Sequence, residues 1–211
     1  MLKLLLIRHG ESVGNAEGRM MGQRDDPLTP LGQAQARRLA AALAEAGLAH
    51  IYVSPLQRAA ETAAALPPLP PLTLTYLDDL KEFQNGVFAG LTWNDAKARY
   101  PALCQRLVSS SDWIAIPEAE TLQDGRDRAE RVVRQLLTHH NGERIAVISH
   151  QWILQQIVAV LLGCDRTWGI PWRHTGIVEL RLDRDRWAQA DQALNSALWQ
   201  IQRFNDVSHL D

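Results

Sequence analysis

Short, continuous apolar runs alternate along this chain with longer stretches whose apolar residues recur at helical spacing. Residues 2–7 are apolar apart from Lys3, the pattern of a strand covered on both faces. That run stops abruptly at Arg8-His9-Gly10-Glu11-Ser12. Thr29-Pro30 opens a helix, with Thr29 as N-cap and Pro30 at the first helical position. Leu39, Ala42, Leu43 and Ala46 mark its buried face, and Gly47 is placed to close it. Residues 50–53 form a second short strand; Ser54-Pro55 then repeats the cap-plus-proline signal before a helix over 56–66, which the proline-rich run 67–71 stops. Residues 72–76 alternate Leu with Thr as a strand does. Within 78–120, short helices are predicted near 93–100 and 102–109, a mainly helical excursion from the sheet. Thr121 and Asp124 form a capping box. A long helix follows, its face made by Leu122, Ala129, Val132, Val133, Leu136 and Leu137, until Asn141-Gly142 ends it. Residues 144–149 read as another buried strand, followed by His150 and a helix to about residue 162. Residues 177–182 and 197–203 alternate as a strand pair. Strands alternating with helices predict one α/β domain over 1–211, with a mostly parallel central sheet flanked by helices.

Composition narrows the function classes. The 211 residues suffice for one well-buried core and are few for two. The formal net charge of -2 leaves no basic surplus for nucleic acid or an anionic membrane. The apolar run at 2–7 is too short for a signal peptide, and no run approaches the roughly 20 residues of a membrane span. Cys104 and Cys164 have no Cys-x-x-Cys partner, so neither a zinc site nor a redox motif is indicated. No P-loop motif occurs. The expectation is a cytoplasmic protein with no metal, no cofactor, no nucleic acid and no membrane partner. The seven tryptophans read as core or interface, with Trp152 and Trp172 singled out as candidates for substrate contact.

Three segments share a buried strand, a polar group and a helix start: Ile7-Arg8-His9-Gly10, Val53-Ser54-Pro55-Leu56-Gln57-Arg58 and Ile148-Ser149-His150. In an α/β sheet such strand ends converge on one edge. Two arginines, two histidines and adjacent helix N-termini then suit a dianionic phosphate. Neutral imidazole can attack phosphorus and carry the phosphoryl group, splitting one hard step into two. The leaving oxygen needs a proton, for which the residues alone leave Glu11, Glu61 and Glu82 open.

These blocks carry a resemblance. Leu6-Ile-Arg-His-Gly-Glu-Ser12 with Asn15, then Gly22-Gln23 and the segment from Pro27 to Gly32, is similar to the opening signature of the histidine phosphatase superfamily, which includes cofactor-dependent phosphoglycerate mutases. Ser54 to Thr62, Leu80-Lys81-Glu82 with Gly86 and Gly90, Ile148-Ser149-His150 and the end around Asn205 to His209 resemble further family blocks in the expected order. The resemblance implies a phosphoglycerate mutase-like fold and a phosphohistidine on His9. It implies a phosphate clamp of Arg8, Arg58 and His150, with Glu82 as proton donor. Asn15 and Gln23 map to positions that line the phosphate or substrate pocket. Two positions depart from the pattern: Gln151, followed by Trp152, stands where a small residue is usual, and Ala119 replaces a glycine beside Glu120. Gln151 is thereby a further candidate for substrate contact. The reading that follows is a metal-independent phosphomonoesterase acting on a small phosphorylated substrate. Mutase-type phosphoryl transfer and an inactive phospho-ligand binding protein are its alternatives, and a homodimer is compatible with the resemblance. The remaining histidines, including the pair His139-His140, read as structural, with His174 placed to border the pocket.

Overall fold

A computed structural model describes residues 1–66, 73–166, 169–186, 189 and 195–211. The predicted stop at 67–71 and the first residue of the 72–76 strand lie outside them. The first apolar run forms β1 (Leu2–Arg8), and the next three strands are β2 (His50–Val53), β3 (Thr73–Tyr76) and β4 (Arg144–Ser149). The chain ends with β5 (Ile177–Leu182) and β6 (Trp199–Asp206). They make one sheet in the order β3-β2-β4-β1-β5-β6. The first four run parallel, while β5 pairs antiparallel with β1, and β6 antiparallel with β5. The predicted α/β class and mostly parallel sheet are what the chain adopts.

After the short α1 (Val13–Ala16) the helices cover both faces, and the alternation of β1 shows how. Leu4 and Leu6 point to one face, into a core shared with Val132, Val133 and Leu136 of α6 (Leu122–His139) and Ile153 and Ile157 of α7 (Gln151–Leu161). Leu5 and Ile7 point to the other, against Leu39 and Leu43 of α2 (Pro30–Leu43) and Ala59 and Ala63 of α3 (Gln57–Ala64). Each fully buried leucine or isoleucine contributes about 1.5–3 kcal/mol, which is why a continuous apolar run marks the middle strand of a two-sided sheet. Thr29 caps α2 with Pro30 at its start, and Thr121 and Asp124 form the capping box of α6, both as predicted.

Two local readings need correction. Ser54 does not cap α3. Its hydroxyl lies 2.7 Å from His150 Nε2 and accepts from Leu56 N–H at 3.3 Å, and the helix starts at Gln57 without a side-chain cap. Gly47 lies beyond the end of α2, whose C-cap is Ala44.

The excursion between β3 and α6 holds α4 (Trp93–Arg99), α5 (Pro101–Ser109) and two 3-10 turns. It has its own small core of Phe88, Leu91, Ala96 and Cys104. At Gly86 (φ +53°) a Cβ would fall 2.1 Å from Pro117 O, so only glycine lets these two loops touch. Ala119, the departure noted above, does not take up a left-handed backbone; the neighbouring Glu118 does, at φ 61°. The loop therefore closes without a glycine at 119.

Candidate active site

Register alone brings the predicted residues together. Arg8 pairs with Ser149 across the parallel β1–β4 ladder, so His9 and His150 leave adjacent strands side by side. Their ring centroids are 4.9 Å apart. Val53 pairs with Ile148 on the other side of β4, which sets Ser54 against His150 and starts α3 with Arg58 facing the same edge. Tyr76 pairs with Val53, and the chain beyond it delivers Glu82. Four parallel strand ends thus meet at one rim, where α/β sheets hold ligands.

His9 is 3% exposed. Its Nδ1 lies 2.6 Å from Gly10 O. A carbonyl can only accept, so Nδ1 carries the proton and Nε2 keeps its lone pair. Burial, then the neighbouring His150 ring and the positive charges of Arg58 and Arg8, holds the His9 pKa well below its ordinary value. Burial and the two arginines do the same for His150, whose Nδ1 is buried without a partner. Both rings are neutral at pH 7.

Arg8 Nη1 donates to Gln151 Oε1 (3.0 Å) and Trp172 O (2.5 Å), while its Nε is buried and unpartnered. Burial lowers its pKa only to about 10, so it stays charged. Arg58 donates to Gly22 O, Arg24 O and Asp26 Oδ1, the last at 2.8 Å in a pair that is 3% and 6% exposed. Asp26 was not singled out in the sequence; an aspartate beside the Pro27 motif was its only signal. It fixes the Arg58 guanidinium and also accepts from Gly14 N–H.

The structure separates the three carboxylates. Glu11 accepts from Thr29 Oγ1, and Glu61 from Leu28 N–H and Gln57, both away from the main cavity. Glu82 lines that cavity with Arg8, His9, Asn15, Arg58 and Gln151. It accepts from the N–H groups of Phe83, Trp152 and Ile153, two of them in the first turn of α7. Desolvation raises its pKa even though these N–H donors favour the anion. A carboxyl that holds its proton to higher pH than usual is what a proton donor needs.

Other predicted residues fall differently. Asn15 lines the cavity, its amide oxygen accepting from Ser12. Gln23 instead donates to Glu82 O at 3.0 Å, behind the acid and away from the cavity wall. Trp152 lines the cavity. Trp172 does not: it is 1% exposed, a core residue whose Nε1 donates to Gly176 O. His174 borders the site, 6.1 Å from His9 between ring centroids, and burial pushes its pKa down to about 4. Sequence reasoning also passed over Arg128. It clasps Glu120 (2.6 and 2.7 Å) and donates to Asp79 O and Lys81 O, bracing the segment that carries Glu82. Among the described residues no three His, Cys, Asp or Glu are arranged to hold a metal ion, and no helix is long and apolar enough to cross a membrane.

Comparison with known proteins agrees with this geometry. A family model described as histidine phosphatase superfamily (branch 1) matches residues 4–194. A curated relative, probable phosphoglycerate mutase GpmB of Salmonella paratyphi B, is 28% identical over 100% of this chain and 96% of its own length. Among solved structures, Bacillus stearothermophilus YhfR superposes with a TM-score of 0.84 at 27% identity, covering 100% of both chains. A phosphoserine phosphatase from Entamoeba histolytica, solved with 3-phosphoglyceric acid, gives a TM-score of 0.79 at 23% identity over 100% of both chains and shares the fold.

Proposed function

The chain belongs to the histidine phosphatase superfamily, and from that premise we propose that it is a phosphomonoesterase that hydrolyses a small phosphorylated metabolite through a phosphohistidine on His9. The observation that carries this reading is the His9 imidazole. It is neutral, with its proton tied to Gly10 O and its free nitrogen among Arg8, Arg58 and His150.

In the first step His9 Nε2 forms a bond to phosphorus as the ester P–O bond breaks, and Glu82 gives its proton to the departing alcohol oxygen. Arg8, through its unpartnered Nε, Arg58 and His150 hold the equatorial oxygens. In the second step water attacks phosphorus, the Glu82 carboxylate takes the water's proton, and the N–P bond breaks to return neutral His9 and inorganic phosphate. The arginines supply the charge stabilisation, so no metal takes part. Asn15 and Gln151 complete the pocket, Gln151 by holding Arg8, and Gln23 supports the backbone of Glu82. The free cysteines suit a reducing cytoplasm, where we place the enzyme.

The test is phosphate release from a panel of monoesters in the presence of a chelator, run beside His9→Ala. The native enzyme alone should turn over, with at least a roughly thousandfold loss in the variant. A folded His9→Ala protein with near-normal rates would sink the mechanism. A second reading, return of the phosphoryl group to a substrate oxygen, is favoured by the name of the Salmonella relative. Interconversion of the two phosphoglycerates faster than their hydrolysis would establish it.

A further inference from the structure

The phosphate-binding residues make up only part of their cavity's lining. The whole space is about 480 Å³, within the roughly 300–1,000 Å³ of small-molecule sites and far more than a phosphate group fills. Much of the rest of the lining is aromatic. Phe83, Trp152 and Trp113 make one wall in a chain of ring contacts, with centroids 5.9 Å apart from Phe83 to Trp152 and 5.5 Å from Trp152 to Trp113. Phe88, Trp93 and Ile116 line the same cavity. Trp113 and Trp152, though large and apolar, are 38% and 39% exposed. Indole surface left open at a cavity mouth is unusual unless something covers it.

Charge along the same lining is already committed. Of its three arginines, Arg8 and Arg58 are those assigned to the phosphate, while Arg19 is paired with Glu17 at 2.5 Å and donates to Gly90 O at 3.1 Å. Glu120, the second carboxylate of the lining beside Glu82, is locked to Arg128. A substrate carboxylate or second phosphate placed among the rings would meet no unengaged cation and would lose its hydration.

We infer that the preferred substrate is the phosphate monoester of an alcohol bearing an aromatic or similarly flat apolar group and no second anionic group, with that group seated among Phe83, Trp113 and Trp152. This deepens the phosphomonoesterase reading and rests on its placement of the phosphate beside His9. Hydrophobic contact with the rings then contributes to binding and orientation, while the chemistry at phosphorus is unchanged. Small phosphorylated acids, phosphoglycerates included, become poor substrates.

Calorimetric titration with three phosphonates, which need no turnover, tests the inference separately from the reaction. Benzylphosphonate should bind on the order of tenfold or more tighter than methylphosphonate or phosphonoacetate, the scale that apolar pockets give for added hydrocarbon. Trp113→Ala should bring the benzyl-to-methyl ratio to within about threefold. Benzyl and ethyl phosphate, alkyl esters with similar leaving groups, should show the same ratio in kcat/KM. Phosphonoacetate binding as tightly as benzylphosphonate would overturn the inference, as would a native benzyl-to-methyl ratio near one or one that Trp113→Ala leaves intact. Selective phosphonate binding without release of phosphate from either ester would instead refute the phosphatase reading and leave the aromatic subsite standing.

Discussion

Arg128 does not touch His9, and its one contact with Glu82 is a long bond to the backbone carbonyl at 3.5 Å, yet its removal should damage the chemistry. Its guanidinium makes four short contacts: two with Glu120 at 2.6 and 2.7 Å, and two with the carbonyls of Asp79 and Lys81 at 2.8 and 2.7 Å. Its side chain and that of Glu120 are 11% and 10% exposed. Arg128→Ala strands a nearly buried carboxylate and two carbonyls. Breaking a buried pair this way costs about 3–5 kcal/mol; residual water contact favours the lower end, about 3. For a chain of this size that lowers Tm by roughly 6–12 °C. The loosened segment carries Glu82, and a positioned general acid contributes roughly 10²–10⁴ to rate. Partial misplacement should therefore cut kcat on an alkyl phosphate by about 10- to 100-fold. With p-nitrophenyl phosphate the leaving oxygen scarcely needs a proton, and the loss should stay under about threefold. Both substrates are assayed well below the variant's Tm, with Glu82→Gln as the benchmark for the same split. Equal losses on the two substrates would show that Arg128 does not act through Glu82, and an unchanged Tm would refute the structural premise as well.

The pH dependence follows from the two shifted groups. His9 must be neutral, and its pKa is depressed, so kcat/KM falls on the acid side only below the ordinary histidine range. Glu82 must be protonated, and its pKa is raised, so activity falls as pH rises through a value above the ordinary carboxylate range. After correction for the substrate's own ionisation near about pH 6, the optimum should lie on the acid side of neutrality. The alkaline limb should be clear with an alkyl phosphate and nearly absent with p-nitrophenyl phosphate, whose leaving oxygen scarcely needs a proton, and an equal limb on both substrates would assign it to another group. A glycine in α6 offers a test of sign. Gly→Ala inside a helix usually stabilises by about 1 kcal/mol. At Gly125 the new Cβ would sit 1.9 Å from the Phe83 ring, so Gly125→Ala should instead destabilise by about 1–3 kcal/mol in urea unfolding. A gain in stability would show that Phe83 is free to move.

Elements set by local chemistry were readable from the sequence. The apolar run of β1 and the caps of α2 and α6 depend on neighbouring residues, and each formed where its pattern stands. The strand-end histidines and arginines were readable because parallel α/β topology turns strand ends into one site. What failed was long-range. Ser54 looks like a cap until the adjacent strand β4, some ninety residues on in sequence, presents His150 to its hydroxyl. Glu82 could not be separated from Glu11 and Glu61 on the residues alone, because its raised pKa comes from burial, which depends on how α7, about seventy positions on, packs against it. Trp172 and Trp152 have the same side chain, and only packing places one in the core and the other on the cavity. Asp26 and Arg128 went unnoticed because each acts by holding another group still.

The central place of β1 also governs how the protein can be made. Its neighbours are β4 and β5, so Leu2–Arg8 cannot complete its ladders until residues 144–149 and 177–182 have been synthesised. At the usual 5–20 residues per second that leaves an apolar segment waiting on the order of ten to thirty seconds outside the ribosome. Its native partners are non-local, and closing those loops is the slow part of folding. During that interval β1 is a surface for chaperones or for other unfinished chains. Slower synthesis lengthens the exposure, and a chain halted before β4 leaves its most apolar strand with no native partner in the sheet.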